Sequence, residues 1–293
     1  MDSSTKTQCS SARELIRRSL IPLFAIAVLL LSGCDRITEF SRYLYLRQCD
    51  SDITKATRAI ESAQNDAQRA SACADRGAAL GEKARYSRAF KLVSIEEYAR
   101  LLERSMKDHG QAIALAPSNA EMYYRRGRTY YSQATLAPLD PANDLKYKAF
   151  FAPAKADFSK AIELDPRHSM AYEFRGLANE GTGDLDQAIA DYTQLAALQP
   201  KSRYRLADAY CNRGASYLRE KKYDLAITDF EKSIEFGNSA HGCQCEPYNP
   251  LLAIYLIEKP DYDKAREVVR RAQTSRRWIA PEYLEKLKKA TPR

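Results

Sequence analysis

The chain has 293 residues, which is enough for one or two domains or for one long array of repeats. Charged residues make up 29% and hydrophobic residues 45%, with only 11 Gly and 12 Pro, a composition typical of a soluble helical protein. The formal net charge is +8, but no run of Lys or Arg forms a nucleic-acid-binding stripe. We therefore expect no nucleic acid among its partners.

Residues 1–33 have the order of a secretory signal. Three arginines precede an apolar run at 20–31, which is too short to cross ~30 Å of hydrocarbon as a helix. The run ends in Leu-Ser-Gly-Cys, with the cysteine at position 34, and it resembles a bacterial lipoprotein box. The resemblance implies a signal peptide that is cleaved before Cys34 and a lipid on that thiol. The alternative is an ordinary signal peptide that happens to contain a cysteine.

Residues 34–69 are predicted to be a linker and a helix, with a half-repeat as one interpretation of the helical part. Export would place the later cysteines in a compartment that permits disulfides. Cys49 and Cys73 flank one predicted helical segment, so we expect a disulfide between them. Connectivity cannot be derived from the spacing of the cysteines alone.

A glycine that follows an arginine recurs four times along the chain, at Gly77, Gly127, Gly176 and Gly214. After Gly176 come the small residue Ala188, the larger Tyr192 and Leu195, and then Pro200. The two small residues let antiparallel helices approach closely, and the proline stops the second helix because it cannot continue the hydrogen-bond ladder. A pattern of this period indicates a stacked array of repeats.

This pattern resembles the tetratricopeptide repeat (TPR). The resemblance covers residues 70–273 in about five repeats, of which the first two carry insertions near 82–94 and 133–153. It implies an all-α fold, an α-solenoid of stacked antiparallel helix pairs forming a TPR superhelix. Residues 274–293 are predicted to supply a C-terminal capping helix that begins at Pro281.

An arginine before the glycine and an aspartate in the second helix occur together in the same four copies. In the last copy both positions become apolar, as Leu252 and Val268, which suggests that they touch. We predict one ion pair per repeat, with two independent solvated charges as the alternative. The pairs in the three later copies are Arg126 with Asp157, Arg175 with Asp191, and Arg213 with Asp229.

Catalytic motifs are missing from the sequence, and we expect neither an enzyme nor a cofactor. His109 occupies the position of the second-helix aromatic and is predicted to be a core residue. The segment 241–245, His-Gly-Cys-Gln-Cys, favours a disulfide involving Cys211, with unpaired thiols or a bound metal as alternatives. We assign no metal site.

The TPR resemblance implies a partner-binding groove lined by the first helix of each repeat. The candidate groove residues are Tyr124, Arg128, Tyr131, Glu173, Leu177, Glu180 and Leu218. The sequence thus suggests a lipid-anchored scaffold that faces the periplasm of a bacterial cell envelope and binds envelope proteins. The alternatives are a binding regulator of an envelope-stress or signalling protein and a metal-dependent enzyme. Which of the two membranes would hold the anchor stays open.

Overall fold

The computed structural model describes residues 34–136, 144–237 and 246–290. These residues form helices and turns without a strand, which confirms the predicted all-α class. The chain divides into two compact units, Met1–Leu115 and Ala116–Arg293. In each unit, consecutive helices pack against one another as antiparallel pairs.

Three helices make up the described part of the first unit: α1 Cys34–Ser62, α2 Asp66–Ala89 and α3 Ile95–Leu115. The middle helix packs on both of its neighbours. Helix α1 runs without a break from Cys34 to Ser62, where a linker followed by a helix was expected. Its early turns pack on the far end of α2, where the ring centroids of Tyr45 and Tyr86 are 4.2 Å apart.

The first insertion extends two helices instead of forming a loop. Helix α2 continues to Ala89, and α3 begins at Ile95 after a short turn. Arg42 of α1 places its guanidinium carbon 4.4 Å from the ring centroid of Phe90 in that turn. The added residues therefore prolong the pairing of α1 with α2.

The second unit continues the series of pairs. Its helices are α4 Ala120–Leu136, α5 Asp144–Leu164, α6 Ser169–Thr182, α7 Leu185–Leu198, α8 Arg203–Arg219, α9 Tyr223–Gly237, α10 Tyr248–Ala253, α11 Tyr262–Thr274 and α12 Pro281–Lys289. A 3-10 turn, Pro200–Ser202, precedes α8, and a π-helical turn, Ile254–Glu258, follows α10. Helix α12 packs Tyr283, Leu284 and Leu287 on the core of the last repeat and so acts as a cap.

Close approach at the four repeat glycines sets the spacing of each pair. A Cβ at Gly176 would lie 2.5 Å from Cε1 of Tyr192. At Gly127 and Gly214 the neighbour is a phenylalanine ring of the second helix, at 2.8 and 3.0 Å. At Gly77 it is the ring of His109, which is fully buried, as expected for a core residue in the aromatic position. Each glycine thus makes room for the ring of its partner helix.

Four of the described helices end in the same hydrogen-bonded turn, in which an amide beyond the helix bonds to the carbonyl five residues earlier. In α6 the residue with positive φ is Gly183, whereas α2, α8 and α11 use Lys91, Lys221 and Arg276. The closing bond of α8, from Lys222 N to Tyr217 O, is 2.8 Å long. Non-glycine residues are strained in this conformation, so three of these four turns carry a cost.

Candidate partner-binding surface

The structure forms the four expected arginine–aspartate pairs. In each one, Nε and a terminal nitrogen of the guanidinium donate to the carboxylate oxygens of the aspartate. In the pair of Arg126 with Asp157, for example, these bonds are 2.8 and 2.7 Å long. The aspartate side chains are only 3–7% exposed and the arginines 21–28%. Such a pair fixes the register of two helices, because removing either charge leaves the other buried.

The remaining terminal nitrogen of three of these arginines reaches the preceding repeat. Arg213 donates to Asp186 of α7, and Arg175 donates to Ser159 of α5 at 3.0 Å. In the first unit Arg76 approaches Thr57 of α1 at 3.5 Å. In these three copies one guanidinium therefore links three helices and couples the helix pair to the helix before it. The repeat pattern did not indicate this third contact.

In the last repeat the ion pair is replaced by apolar packing. Leu252 and Val268 are both buried in one core cluster with Ala265 and Ala272. The joint change from charge to hydrocarbon at these positions keeps both residues inside the same core.

Arg128 is the most exposed of the predicted groove residues on α4. Its guanidinium carbon lies 5.9 Å from the ring centroid of Tyr124 and 5.5 Å from that of Phe174 in α6. Cations within about 6 Å of an aromatic face are attracted to it. The two rings thus hold a solvent-facing positive charge in a defined place.

The expectation that Tyr124 lies in the groove is wrong. This side chain is buried against Phe158, Phe174 and His168, with ring centroids 4.8–6.2 Å away. Burial raises the pKa of its hydroxyl. The buried ring of Tyr124 packs beneath the side chain of Arg128 and is not exposed to a partner.

Tyr131 is half-buried between two repeats. Its ring meets Phe151 and Phe174 edge-on, at centroid distances of 5.8 and 5.5 Å. Phe151, which belongs to the second insertion, is fully buried and lies 3.0 Å from the Cβ position of Gly181. The described part of this insertion therefore fills a seam between α4, α5 and α6.

The two predicted groove acids join neighbouring first helices. Glu173 of α6 accepts two bonds from Arg205 of α8, at 3.1 and 3.0 Å. Glu180 accepts from Asn212 of α8 at 3.2 Å and from the buried hydroxyl of Tyr192 at 2.8 Å. Both carboxylates are half-buried, as are the apolar groove residues Leu177 and Leu218. The face formed by α4, α6 and α8 is hence an ordered surface in which acids are already engaged and Arg128 is exposed.

The predicted disulfide between Cys49 and Cys73 is absent, because both thiols are free and buried. Burial, with the nearby carboxylates of Glu82, Asp52 and Asp50, raises the pKa of Cys49 to about 11. This thiol therefore stays protonated at neutral pH and is a poor nucleophile.

A cleft of about 450 Å³ lies between α1 and α2 in the first unit. Its lining includes Cys49, the carboxylates of Asp52, Asp75 and Glu82, and Lys55. Four alanines complete the apolar part of the wall. Sequence reasoning missed this cleft, because the repeat pattern begins only at residue 70 and says nothing about α1.

Cys211 is disulfide-bonded, which confirms the preferred assignment for this cysteine. The segment 241–245, which supplied the predicted cysteine and histidine cluster, lies outside the described residues. Among the residues that are described, no group of three or more metal-binding side chains occurs. The signal segment and the side chain of Cys34 also lie outside the described residues. Among the helices that are described, none is long and apolar enough to span a membrane.

Two segments of the chain match sequence families described as tetratricopeptide repeat. They are residues 207–236 and residues 139–203. The first covers the helix pair with Gly214, and the second includes the pair with Gly176. The chain therefore contains TPR repeats, and its fold is that of stacked TPR helix pairs.

Among curated proteins, human serine/threonine-protein phosphatase 5 is 26% identical over 134 residues, which are 45% of this chain and 23% of the phosphatase. The rat enzyme is 25% identical over the same length. The match therefore spans about a quarter of the phosphatase.

Several solved TPR structures are also similar. A thermophilic TPR protein of Thermus thermophilus, TTC0263, has 21% identity and a TM-score of 0.38, over 68% of this chain and 88% of its own. The protein MamA has 20% identity and a TM-score of 0.37, over 67% of this chain and 96% of its own.

Proposed function

We propose that this protein is a non-catalytic scaffold that binds a protein partner on the face formed by α4, α6 and α8. The observation that carries the proposal is the exposed residue Arg128, whose guanidinium carbon lies 5.9 and 5.5 Å from the ring centroids of Tyr124 and Phe174. Arginine and aromatic residues in fixed positions are the side chains that most often anchor protein interfaces. The half-buried Leu177 and Leu218 supply apolar surface on the same face.

The engaged acids favour a partner that needs no rearrangement of the scaffold. Glu173 and Glu180 already bind Arg205 and Asn212, so the face is pre-organised and loses little entropy on binding. Arg128 supplies a cation beside aromatic surface. A partner segment with an acidic residue next to an apolar one fits this arrangement.

We place the scaffold on the periplasmic side of a bacterial membrane, anchored through a lipid on Cys34. The support is the sequence alone: the short apolar run and the Leu-Ser-Gly-Cys ending of residues 31–34. One acyl chain binds a membrane only marginally, so stable anchoring needs more than one. In this setting the partners are envelope proteins.

Two experiments test these parts separately. The Cys34→Ala variant should accumulate as unprocessed precursor and incorporate no labelled fatty acid; label that persists would refute the anchor. For the scaffold, Arg128→Glu should reduce partner recovery from solubilised membranes by at least about tenfold. Lys201→Glu makes the same change of charge at an exposed residue in the turn before α8; it is the matched control and should change nothing. Equal recovery with both variants, each folded, would place the partner elsewhere.

A further inference from the structure

The chain has a single tryptophan, and it is displayed at the surface. Trp278 is 66% exposed, the largest exposed fraction, shared with Ile95, among the large apolar side chains described. It lies in the turn between α11 and α12, immediately before the buried residues Ile279 and Ala280. A large aromatic side chain is therefore left in water next to two buried neighbours.

One amide side chain fixes the backbone from the carbonyl of Trp278 to the amide of Ala280. Asn249 donates from Nδ2 to the carbonyl of Trp278 at 3.3 Å, and its Oδ1 accepts from the amide of Ala280 at 3.0 Å. Upstream, α11 closes with a 2.8 Å bond from Arg277 N to Ala272 O around Arg276 in a positive-φ conformation. These hydrogen bonds therefore hold the turn in a conformation that exposes the indole.

The segment that carries the indole is cationic. Residues 276–290 contain five Lys or Arg and two Glu. Arg277 is paired with Glu246 at 3.2 Å, whereas Arg276, Lys286 and Lys289 are exposed and form no ion pair within the described part of the chain. On α11 the arrangement differs, because Arg266 and Arg270 each pair with an acid one turn away. The excess positive charge is thus concentrated in the segment that carries Trp278 and α12.

We propose that Trp278, with Arg276, Lys286 and Lys289, is a contact surface for an anionic membrane. Tryptophan is favoured at the boundary between lipid headgroups and hydrocarbon, where its ring is buried and its N–H stays near water. Basic residues beside it are attracted to an anionic surface. The contact is separate from the face that bears Arg128 and from the lipid on Cys34, and it holds whether or not those two proposals do.

The indole itself is the probe, because no other tryptophan contributes to the emission. The full chain is titrated with vesicles of equal parts phosphatidylglycerol and phosphatidylcholine, and in parallel with vesicles of phosphatidylcholine alone. We expect a blue shift and protection from acrylamide quenching with the anionic vesicles only, reversed by high salt because surface electrostatics are screened. Unchanged emission with anionic vesicles at low salt would overturn the proposal.

Charge variants locate the contact. Arg276→Glu with Lys286→Glu and Lys289→Glu should raise the anionic vesicle concentration needed for half the shift by roughly 100-fold or more. Arg104→Glu with Lys107→Glu and Lys201→Glu makes the same change of net charge at exposed cations elsewhere and should leave the titration unchanged. An equal effect of both triple variants would show attraction by net charge alone and so overturn the assignment to this surface. A shift given by a protein ligand and not by lipid would assign the surface to a protein partner instead.

Discussion

Replacing Gly176 with alanine tests whether ring-to-glycine packing determines the spacing of the helix pairs. The added Cβ would lie 2.5 Å from Cε1 and 2.8 Å from Cζ of Tyr192. Carbon atoms pack best at roughly 3.5–4.0 Å, so the ring would have to retreat by about 1 Å. It has little freedom to do so, because it is fully buried and its hydroxyl is bonded to Glu180.

The expected magnitude follows from two opposed effects. Alanine in place of glycine stabilises a helix interior by about 1 kcal/mol. Overpacking a well-filled core costs typically about 1–3 kcal/mol and occasionally more, and an approach as short as that at Gly176 belongs at the upper end. We therefore expect a net destabilisation of about 2 kcal/mol. Gly110, whose Cβ position has no neighbour within 4 Å, is the matched control, and its alanine variant should gain up to about 1 kcal/mol.

Urea unfolding monitored by circular dichroism measures both variants. The chain has two compact units, with Gly110 in the first and Gly176 in the second, so separate transitions are to be fitted separately. Adding Tyr192→Leu removes the ring, and in that background Gly176→Ala should turn from destabilising to neutral or stabilising. If Gly176→Ala alone is as stable as the unaltered chain, the packing argument fails.

Three further predictions concern stability and reactivity. Arg175→Leu and Asp191→Val should each cost about 1–3 kcal/mol, and the double variant should recover part of the loss because Leu252 and Val268 fill the same positions in the last repeat. If the losses of the Arg175 and Asp191 single variants add strictly in the double variant, the buried pair is not coupled. Arg266→Leu is the control: it removes an exposed ion pair and should cost under about 1 kcal/mol. Burial raises the pKa of Cys49 from 9.0 to about 11 in the folded chain, so the thiol should resist alkylation at pH 8 until the chain unfolds. The free energy of unfolding should therefore fall as the pH rises from about 9 to about 11. Alkylation of the folded chain at the rate of an unfolded thiol would contradict the burial. Lys221→Gly should stabilise by up to about 1 kcal/mol in the same urea assay, because glycine adopts the positive φ without strain, and a loss would contradict the strain assigned to that turn.

The repeat pattern predicted most of the second unit. Gly176, Tyr192 and the Arg175–Asp191 pair are constrained by close packing, so their residue types repeat and can be recognised. Helix α12 could be expected for the same reason, because an end repeat needs a cover for its apolar side. The helix ends at Lys221 and Arg276 were not predictable, since the usual signal there is glycine.

The binding face was predicted less well than the core. Tyr124 was placed in the groove by its offset from Gly127, but in this unit the neighbouring Phe174 and His168 cover it. The full length of helix α1 and the cleft beside Cys49 were missed because the sequence before residue 70 has no complete repeat to align with. The lack of a Cys49–Cys73 bridge could not be derived, because cysteine spacing does not define connectivity.

The central claim is that a partner binds the face formed by α4, α6 and α8, and site-specific photocrosslinking in intact cells tests it most directly. A photoreactive amino acid replaces Arg128 in one strain and Gln194, exposed on helix α7, in another. Crosslinked adducts that form from position 128 and not from position 194 are the predicted result. Adducts from position 194 with none from position 128 would contradict the account.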